Sequence, residues 1–390
     1  MRFLRINKIN WISFLLACVI FCQNPLWPIW QSGLIASFFL VLLIFGYLIT
    51  VKKRKIELLP SQWFVLLLTV FIFIAIPLLF GENRLSSFVT IISFLIACIL
   101  TKSEKINTIQ YVTKFLAIVI FISLPFWFIH VFITSLPLYN VIDLSKMKGS
   151  YAIMNNYLFF VTFANFDFNR FYSVFDEPGV LGTLAAFILF ANQYDFKKKY
   201  LIVILIGAVF TYSLAFYVLT IIGYSVFMVK AKGKMLFSKV LLILGLGIIF
   251  FLFKNDIFQH TSYDRFNNIS KQLESRTNNE VNRYFDNYIR SDDAIFGKGT
   301  SFLSTSNLLN GASFKLFLIE YGIMGGIVLF ISYFVLIKQK RWKSYLLLLF
   351  FILSFLQRPD AFTAWQILLF SCSLAFLEND INNKREAKYG

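Results

Sequence analysis

Residues 112–133 read VTKFLAIVIFISLPFWFIHVFI, an apolar stretch in which Lys114 is the single Lys, Arg, Asp or Glu. A helix of about 20 such residues is long enough to cross the hydrocarbon core of a bilayer. Comparable apolar stretches recur on both sides of this one, along most of the chain. The sequence therefore predicts helices that span a membrane.

The composition of the whole chain agrees with this prediction. Of its 390 residues, 58% are hydrophobic and 15% are charged, and the mean hydropathy is +0.71. Soluble domains have about 45–50% apolar and about 25% charged residues. The excess would leave large apolar patches on a water-soluble surface. Soluble enzymes, disordered chains and disulfide scaffolds are therefore excluded.

We predict an all-α polytopic membrane protein with about twelve transmembrane helices, forming one integral membrane domain over residues 1–390. The loops at 134–177 and 255–310 are long and are predicted to be extracytoplasmic. The predicted spans are 9–27, 32–51, 61–80, 85–101, 112–133, 178–195, 200–213, 214–230, 238–254, 311–337, 344–357 and 361–378.

The net charge of +17 reflects topology. Basic residues cluster in short connections between apolar stretches, and such clusters remain on the cytoplasmic side. This rule places both termini in the cytoplasm and predicts a multi-pass protein of the plasma (inner) membrane. No nucleic acid is needed to explain the charge. The clusters lie at 52–55, 197–199, 230–234 and 338–343.

The predicted spans 200–213 and 214–230 are unusual. Basic clusters flank the pair at 197–199 and 230–234, and because both clusters are expected in the cytoplasm, the chain must cross the membrane an even number of times between them. Each crossing is then shorter than a bilayer normally requires. The centre of this pair, Thr211-Tyr212-Ser213, is polar. Two interpretations follow: short helices around the floor of a pocket, or a tilted hairpin in a locally thinned bilayer.

Metal-binding patterns are absent from the sequence. Its four cysteines lie in apolar stretches without a CxxC pair, and its two histidines, His130 and His260, lack neighbouring partners in sequence. We therefore expect neither a metal site nor a cofactor. For the two histidines, a structural role is favoured over that of a catalytic base.

Three ionisable residues, Arg170, Asp176 and Glu177, precede an apolar helix that begins near Pro178. Acidic groups in this position can stabilise a helix N-terminus. Capping explains one carboxylate more easily than it explains two carboxylates and an arginine. Ionisable groups at the hydrocarbon boundary often have a function, so we consider this segment a candidate site.

The second long loop contains Arg276, Arg283 and Arg290, each seven residues from the next. On one helix these arginines would share a face. They could bind a phosphate or diphosphate through their guanidinium groups. Alternatively, they could pair with acidic neighbours on a solvated face. Those neighbours are Glu280, Asp286 and Asp292.

Two more ionisable residues lie at or within the final predicted spans. Glu320, about two turns inside a span, requires a partner or a wet cavity; it could equally be a structural hydrogen-bonding group where helices pack closely. Arg358 lies in the short turn Gln357-Arg358-Pro359-Asp360. It could be an interfacial anchor or a further cation at the same site.

These motifs resemble the Wzy-type polysaccharide repeat-unit polymerases of the O-antigen polymerase/ligase superfamily. The Arg…Glu-Pro-Gly run over 170–182, the Gly-x-Gly turn at 297–299 and the Glu-Tyr-Gly-x-x-Gly helix at 320–325 carry the resemblance. Tyr212-Ser213-Leu214-Ala215 and Gln357-Arg358-Pro359 are also similar. The resemblance covers about residues 165–365.

The resemblance implies a GT-C-like, metal-independent membrane glycosyltransferase. It would polymerise undecaprenyl-diphosphate-linked oligosaccharides into O-antigen, capsule or exopolysaccharide, with a chain-length regulator and a flippase as partners. Glu177 is the first choice for the catalytic carboxylate and Glu320 the second, with Arg170 also assigned to the catalytic site. The implied diphosphate or glycan contacts are Arg170, Asp176, Arg276, Arg283, Arg290 and Arg358.

Two alternatives remain open. A ligase-like transferase would move the glycan to a different acceptor, and His260 in the second loop keeps this interpretation available. A polytopic transporter would bind its substrate near the middle of the membrane. The sequence shows no inverted repeat to favour a transporter.

Overall fold

The computed structural model describes residues 10–23, 33–79, 85–143, 153–164, 170–229, 279–299, 302, 314–337, 341–357 and 363–389. Most of these residues are helical, and most of the helices coincide with apolar stretches of the sequence. The predicted span 238–254 lies outside the described residues. Helices fit these stretches because they satisfy their own backbone hydrogen bonds without water.

The helices have the following bounds. In chain order they are α1 (Trp11–Gln23), α2 (Gly33–Thr50), α3 (Pro60–Val70), α4 (Ile76–Leu79), α5 (Leu85–Ile99), α6 (Lys102–Phe132), α7 (Pro178–Ala191), α8 (Lys199–Val209), α9 (Leu214–Val229), α10 (Asn279–Tyr288), α11 (Phe314–Val335), α12 (Trp342–Gln357) and α13 (Ala364–Tyr389). A π-helical turn, Phe71–Ala75, joins α3 to α4, and a 3₁₀ turn, Asp292–Ala294, follows α10.

In the part of the chain that the structure describes, three helical segments are long and apolar enough to cross a membrane: Pro60–Leu78, Lys102–Phe132 and Phe314–Val335. Other apolar helices have 10–17 residues. Helix α8 has 11 residues and is therefore about 17 Å long at about 1.5 Å per residue. It is much shorter than the hydrocarbon core of a bilayer, as its sequence predicts.

The chain divides into two compact units. Unit 1 comprises residues 1–115, 327–348 and 360–390. In this unit α1 packs against α2 and α13, and α5 packs against α2 and α13. A bidentate ion pair joins Arg54 to Glu104, with both nitrogen–oxygen distances at 2.7 Å.

Unit 2 comprises residues 116–326 and 349–359 and contains the candidate site described below. Its central helix, α7, packs against α8 and α9. Nearly every side chain of α7 is buried, which is expected for a helix that is apolar on all faces. The ring of Phe187 in α7 stacks on Phe351 with 4.3 Å between centroids.

The segment before α7 contains a small antiparallel sheet, which the prediction of an all-helical chain missed. Its strands are β1 (Asn140–Asp143), β2 (Ile153–Asn156) and β3 (Val161–Phe163), in the order β1-β2-β3. Met154 of β2 and Val161 of β3 are fully buried, whereas β1 is mostly exposed. Such short strands produce too little alternation to be recognised in a sequence this apolar.

Candidate functional site

The segment that begins at Arg170 contacts the turn between α8 and α9. The Arg170 side chain donates two hydrogen bonds, from Nε to the Thr211 carbonyl oxygen at 2.9 Å and from Nη2 to the Tyr212 carbonyl oxygen at 3.1 Å. The Phe171 amide donates to the Phe210 carbonyl at 3.0 Å. Carbonyls at a helix C-terminus lack partners within the helix and attract cations. Arg170 therefore stabilises the turn directly after α8.

The polar side chains of this turn form hydrogen bonds with backbone groups of the turn and of the helices next to it. Tyr212 has a left-handed backbone, with φ of 47°. The Thr211 hydroxyl donates to the Ala208 carbonyl at 2.6 Å and accepts from the Ser213 amide at 3.2 Å. The Ser213 hydroxyl accepts from the Phe216 amide at 3.5 Å, at the start of α9. The polarity of Thr211-Tyr212-Ser213 thus has a structural cause.

Helix α7 approaches the same turn through Gly182. A β-carbon at this glycine would lie 2.6 Å from Cβ of Ser213 and 3.1 Å from Cβ of Phe216. Real contacts of this kind are longer, so a side chain at Gly182 would push α7 away from the turn. The Thr211–Ser213 turn consequently packs closely against both the Arg170 segment and α7.

The two predicted carboxylates differ in exposure. Asp176 is only 2% exposed, whereas Glu177 is half-buried. Glu177 occupies the N-cap position of α7, and its backbone carbonyl accepts from the Val180 amide at 3.1 Å. Its side chain makes no capping hydrogen bond. The Glu177 carboxylate therefore does not cap α7 through a hydrogen bond.

Arg170 and Glu177 both act electrostatically on Tyr172, a residue that the sequence analysis did not select. Burial raises the pKa of the Tyr172 phenol to about 12; the positive charge of Arg170 opposes this change and the negative charge of Glu177 adds to it. The phenol is therefore protonated at neutral pH and can donate a hydrogen bond. Its position two residues after Arg170 is the signal that could have identified it.

The segment from Arg170 to Glu177 also contacts α6 and the sheet, both through Ser173. The hydroxyl oxygens of Ser123 and Ser173 are 2.8 Å apart and buried. The Ser173 carbonyl accepts from the Val161 amide of β3 at 2.9 Å. Ser173 adopts a left-handed backbone, with φ of 53°. These contacts define the path of the chain between Arg170 and Glu177.

A second group of motif residues meets where α11 is interrupted. Gly322 has φ of 69° and ψ of −180°, so the helix breaks directly after Tyr321. Glu320 therefore lies at the end of a half-helix, and not two turns inside a continuous helix as predicted. Its side chain is half-buried.

Residues of the second long loop provide hydrogen-bond partners at this interruption. The Lys298 amide donates to the Ile319 carbonyl at 2.7 Å, and the Tyr288 hydroxyl donates to the Leu318 carbonyl at 2.9 Å. Beyond the break, the Met324 amide donates to the Ile295 carbonyl at 3.0 Å. Groups that an unbroken helix would pair internally are thus paired with the loop.

The glycines of these two motifs allow their backbones to touch. Gly297 and Gly299 have φ of 85° and 80°. A β-carbon at Gly297 would collide with the Glu320 carbonyl, and one at Gly322 would lie 2.6 Å from the Gly297 nitrogen. The Gly-x-Gly turn and the Glu-Tyr-Gly segment are therefore in direct contact, which the sequence analysis did not predict.

The arginines of the second loop are arranged differently from the prediction. Helix α10 ends at Tyr288, so Arg283 lies on the helix and Arg290 lies in the turn after it; both are exposed. Among the described side chains, neither arginine forms an ion pair. Arg276 and Arg358 lie outside the described residues.

The opposite face of α10 packs on the first half of α11. Val281 and Tyr288 are buried in a cluster with Leu316 and Ile319. A second contact joins these helices, since the Lys315 ammonium donates to the Asn282 side-chain oxygen at 2.8 Å. This packing leaves Arg283 directed away from the apolar cluster and accessible to a ligand.

Lys298 is a cation at the interruption that the sequence analysis did not select. Its ammonium forms an ion pair with Asp293 at 3.0 Å and lies 5.1 Å from the centroid of the Phe302 ring. Hydrogen bonding to the Asp293 carboxylate raises the pKa of Lys298. The glycines on both sides of Lys298 were the signal for this turn.

His130 has structural partners. Its Nδ1 accepts from the Leu136 amide at 3.0 Å, and its ring lies 4.3 Å from that of Tyr157. His260 lies outside the described residues. In the part of the chain that the structure describes, no group of three His, Cys, Asp or Glu residues could hold a metal ion.

Comparisons with models of protein families, with curated proteins and with solved structures found no match to this chain.

Proposed function

We propose that this chain is a membrane glycosyltransferase that polymerises undecaprenyl-diphosphate-linked oligosaccharide repeat units at the outer face of the plasma membrane. One observation carries the proposal: the motif segments of the polymerase resemblance contact each other in pairs. The Arg170 segment binds the Thr211–Ser213 turn. The 297–299 turn contacts the 320–322 segment at the interruption of α11.

The proposed topology places these segments on the side where such a substrate is presented. About twelve crossings with cytoplasmic termini leave the loops 134–177 and 255–310 outside. ATP is not available there, so the substrate must carry its own leaving group. A lipid-linked diphosphate sugar meets this requirement, and its prenyl chain can lie along apolar helices.

In the proposed reaction, an acceptor sugar hydroxyl attacks the anomeric carbon of the donor glycan. The new glycosidic bond forms while the bond from that carbon to the diphosphate oxygen breaks, and undecaprenyl diphosphate leaves with the bonding electrons. Glu177 accepts the proton of the attacking hydroxyl. Glu320 is the second candidate for this role, and Asp176 is assigned to glycan contact.

The arginines have different roles in this proposal. Arg283 and Arg290 are exposed, so their guanidinium groups can bind a diphosphate or a glycan. Arg276 and Arg358 are assigned the same role by resemblance alone. Because Arg170 donates to two backbone carbonyls, we assign it to positioning the turn beside Tyr172 and Glu177. Cofactors and metals are not required.

A strain that lacks the gene tests this proposal after complementation with wild type, Glu177→Gln or Asp286→Asn. The last variant is a matched control because Asp286 is an exposed acid on α10. Wild type and the control should restore the ladder of lipid-linked and surface glycans. Glu177→Gln should leave a single repeat unit. Restoration by Glu177→Gln would contradict the role of Glu177.

The deletion strain also separates the alternatives. Full-length polymer that stays on its carrier lipid would indicate a ligase-like transferase. A normal ladder in the deletion strain would exclude polymerisation and leave the transporter interpretation.

A further inference from the structure

The end of α6 that precedes the sheet, and the sheet itself, expose several large apolar side chains. Ile133, directly after α6, is 75% exposed, and Val141 of β1 is 53% exposed. At the tip of the β2–β3 hairpin, Leu158 and Phe159 are 42% and 37% exposed. We call these four residues the apolar rim. A contiguous exposed apolar surface marks a site of interaction.

The apolar rim continues the exposed face of α6. Ile118, Phe121 and Ile122 are exposed on this helix, which is apolar and long enough to cross a membrane. Phe159 stacks on Phe126 of α6, with 4.3 Å between ring centroids. Because Phe126 precedes the end of α6 by more than a turn, the hairpin tip lies alongside the helix and does not project beyond it. The hairpin tip and the helix therefore share one apolar surface.

The charge distribution matches a lipid environment. Residues 116–143 and 153–164 contain a single Lys, Arg, Asp or Glu, which is Asp143. The exposed aromatic residues at this level include Phe128, Phe132 and Tyr139. Aromatic side chains concentrate where the hydrocarbon core meets the headgroups.

The hairpin is built so that a leucine is presented at its tip. Leu158 has φ of 73°, a left-handed conformation that is costly for a bulky residue. This conformation is supported by the Leu158 amide, which donates to Asn156 Oδ1 at 2.9 Å, and by Asn156 Nδ2, which donates to Asn140 Oδ1 at 2.7 Å. Glycine or asparagine would fit this backbone with less strain. Leu158 is therefore held at an exposed tip in spite of its conformational cost, which is consistent with an apolar environment around it.

We propose that the apolar rim lies in the outer leaflet, at the boundary between headgroups and hydrocarbon, and that its partner is bilayer lipid. This inference rests on the proposed topology, in which the 134–177 loop is extracytoplasmic. The same sheet holds Ser173 through Val161. Immersion of the rim would therefore keep the Arg170–Glu177 segment at the level of a lipid-linked diphosphate.

The test uses the full chain in lipid nanodiscs that each hold one copy, with its native cysteines replaced by serine. A cysteine is introduced by Leu158→Cys or, as an independent second position, by Val141→Cys, and is labelled with the fluorophore NBD. Asn287→Cys is the control because Asn287 is exposed on the polar face of α10. Quenchers are a doxyl lipid with its nitroxide near the headgroup, and aqueous iodide.

We expect the doxyl lipid to remove about half of the emission at positions 158 and 141, with little effect of iodide, since the rim would be immersed in the interface. At the control position 287, we expect iodide to quench the emission and the doxyl lipid to have little effect. Quenching of both rim positions by iodide would overturn the proposal, because the rim would then face water. Protection from both quenchers would also overturn it and would indicate a protein partner. No glycan substrate is involved, so failure of the polymerase proposal would not affect these readings.

Discussion

At the scale of single residues, Arg170 has a more specific geometry than its sequence position suggests. The sequence identified it as an ionisable residue near the hydrocarbon boundary. The structure shows Nε and Nη2 directed at the successive carbonyls of Thr211 and Tyr212. The planar guanidinium can make both bonds at once, whereas an ammonium group is a point donor on a flexible stem.

We therefore predict that Arg170→Lys lowers the stability of the chain despite keeping the charge. Loss of one charge-assisted hydrogen bond should cost about 1.5–3 kcal/mol. Thermal unfolding of the purified protein measures this loss. The matched control is Arg283→Lys, at an exposed position on α10, which should unfold as wild type does. Equal stability of both variants would show that the Arg170 contacts are not needed to hold the turn.

Gly322 provides a second test at this scale. A β-carbon there meets the Ile295 carbonyl and the Gly297 nitrogen, and φ is 69°. Gly322→Ala should destabilise the protein by about 1–3 kcal/mol, since it adds strain to the steric conflict.

Gly46 in α2 is the matched control for Gly322, because a β-carbon added at Gly46 has nothing within 4 Å. Alanine is about 0.5–1 kcal/mol more favourable than glycine inside a helix, so Gly46→Ala should preserve or raise stability. Thermal unfolding in detergent compares the two variants. A tolerated Gly322→Ala would indicate that α11 is not broken as described.

At the scale of elements, the sequence predicts what depends on local hydrophobicity. Apolar stretches such as 112–133 form helices because backbone N–H and C=O groups inside a membrane must form hydrogen bonds with each other. The short α8 was also predictable from the basic clusters that flank it and its partner. By contrast, the break at Gly322 could not be predicted from the sequence, because glycines in apolar helices are equally typical of close helix packing. The break is stabilised by residues that precede it by more than 20 positions, so local patterns do not reveal it.

The role of α10 in supporting the broken helix leads to a prediction. Tyr288→Phe removes the hydroxyl that donates to the carbonyls of Leu318 and Asp293. Loss of a typical hydrogen bond costs about 0.5–1.5 kcal/mol, so the 293–299 turn should open more often. Hydrogen–deuterium exchange should accelerate in this turn. Tyr47→Phe, at an exposed position on α2, is the control; equal exchange in the two variants would contradict the prediction.

At the scale of the whole molecule, the sequence predicts orientation from the distribution of basic residues. The helical structure, with three segments able to cross a membrane among the described residues, agrees with the predicted class. The small sheet and the pairing of distant motif segments could not be predicted, because they depend on long-range contacts. The sequence therefore identified candidate site residues one at a time. The hydrogen bonds from Arg170 to the carbonyls of Thr211 and Tyr212 are known only from the structure.

The proposed topology predicts which positions are accessible from each side. On intact cells, a membrane-impermeant maleimide should label Asn287→Cys, because the proposed topology makes the 255–310 loop, which contains α10, extracytoplasmic. It should label Lys53→Cys only after permeabilisation, because the same topology makes the basic cluster that contains Lys53 cytoplasmic. Both positions are exposed, so solvent access is matched. Labelling of Lys53→Cys on intact cells would reverse the proposed orientation.

The central claim is that this chain itself joins lipid-linked repeat units. The most direct measurement is to incubate the purified protein in proteoliposomes with an undecaprenyl-diphosphate-linked repeat unit and to resolve the products on a gel. We predict a ladder of polymer without added nucleotide or metal for wild type and Asp286→Asn, and unchanged single units for folded Glu177→Gln. Single units left unchanged by folded wild-type protein would contradict the claim.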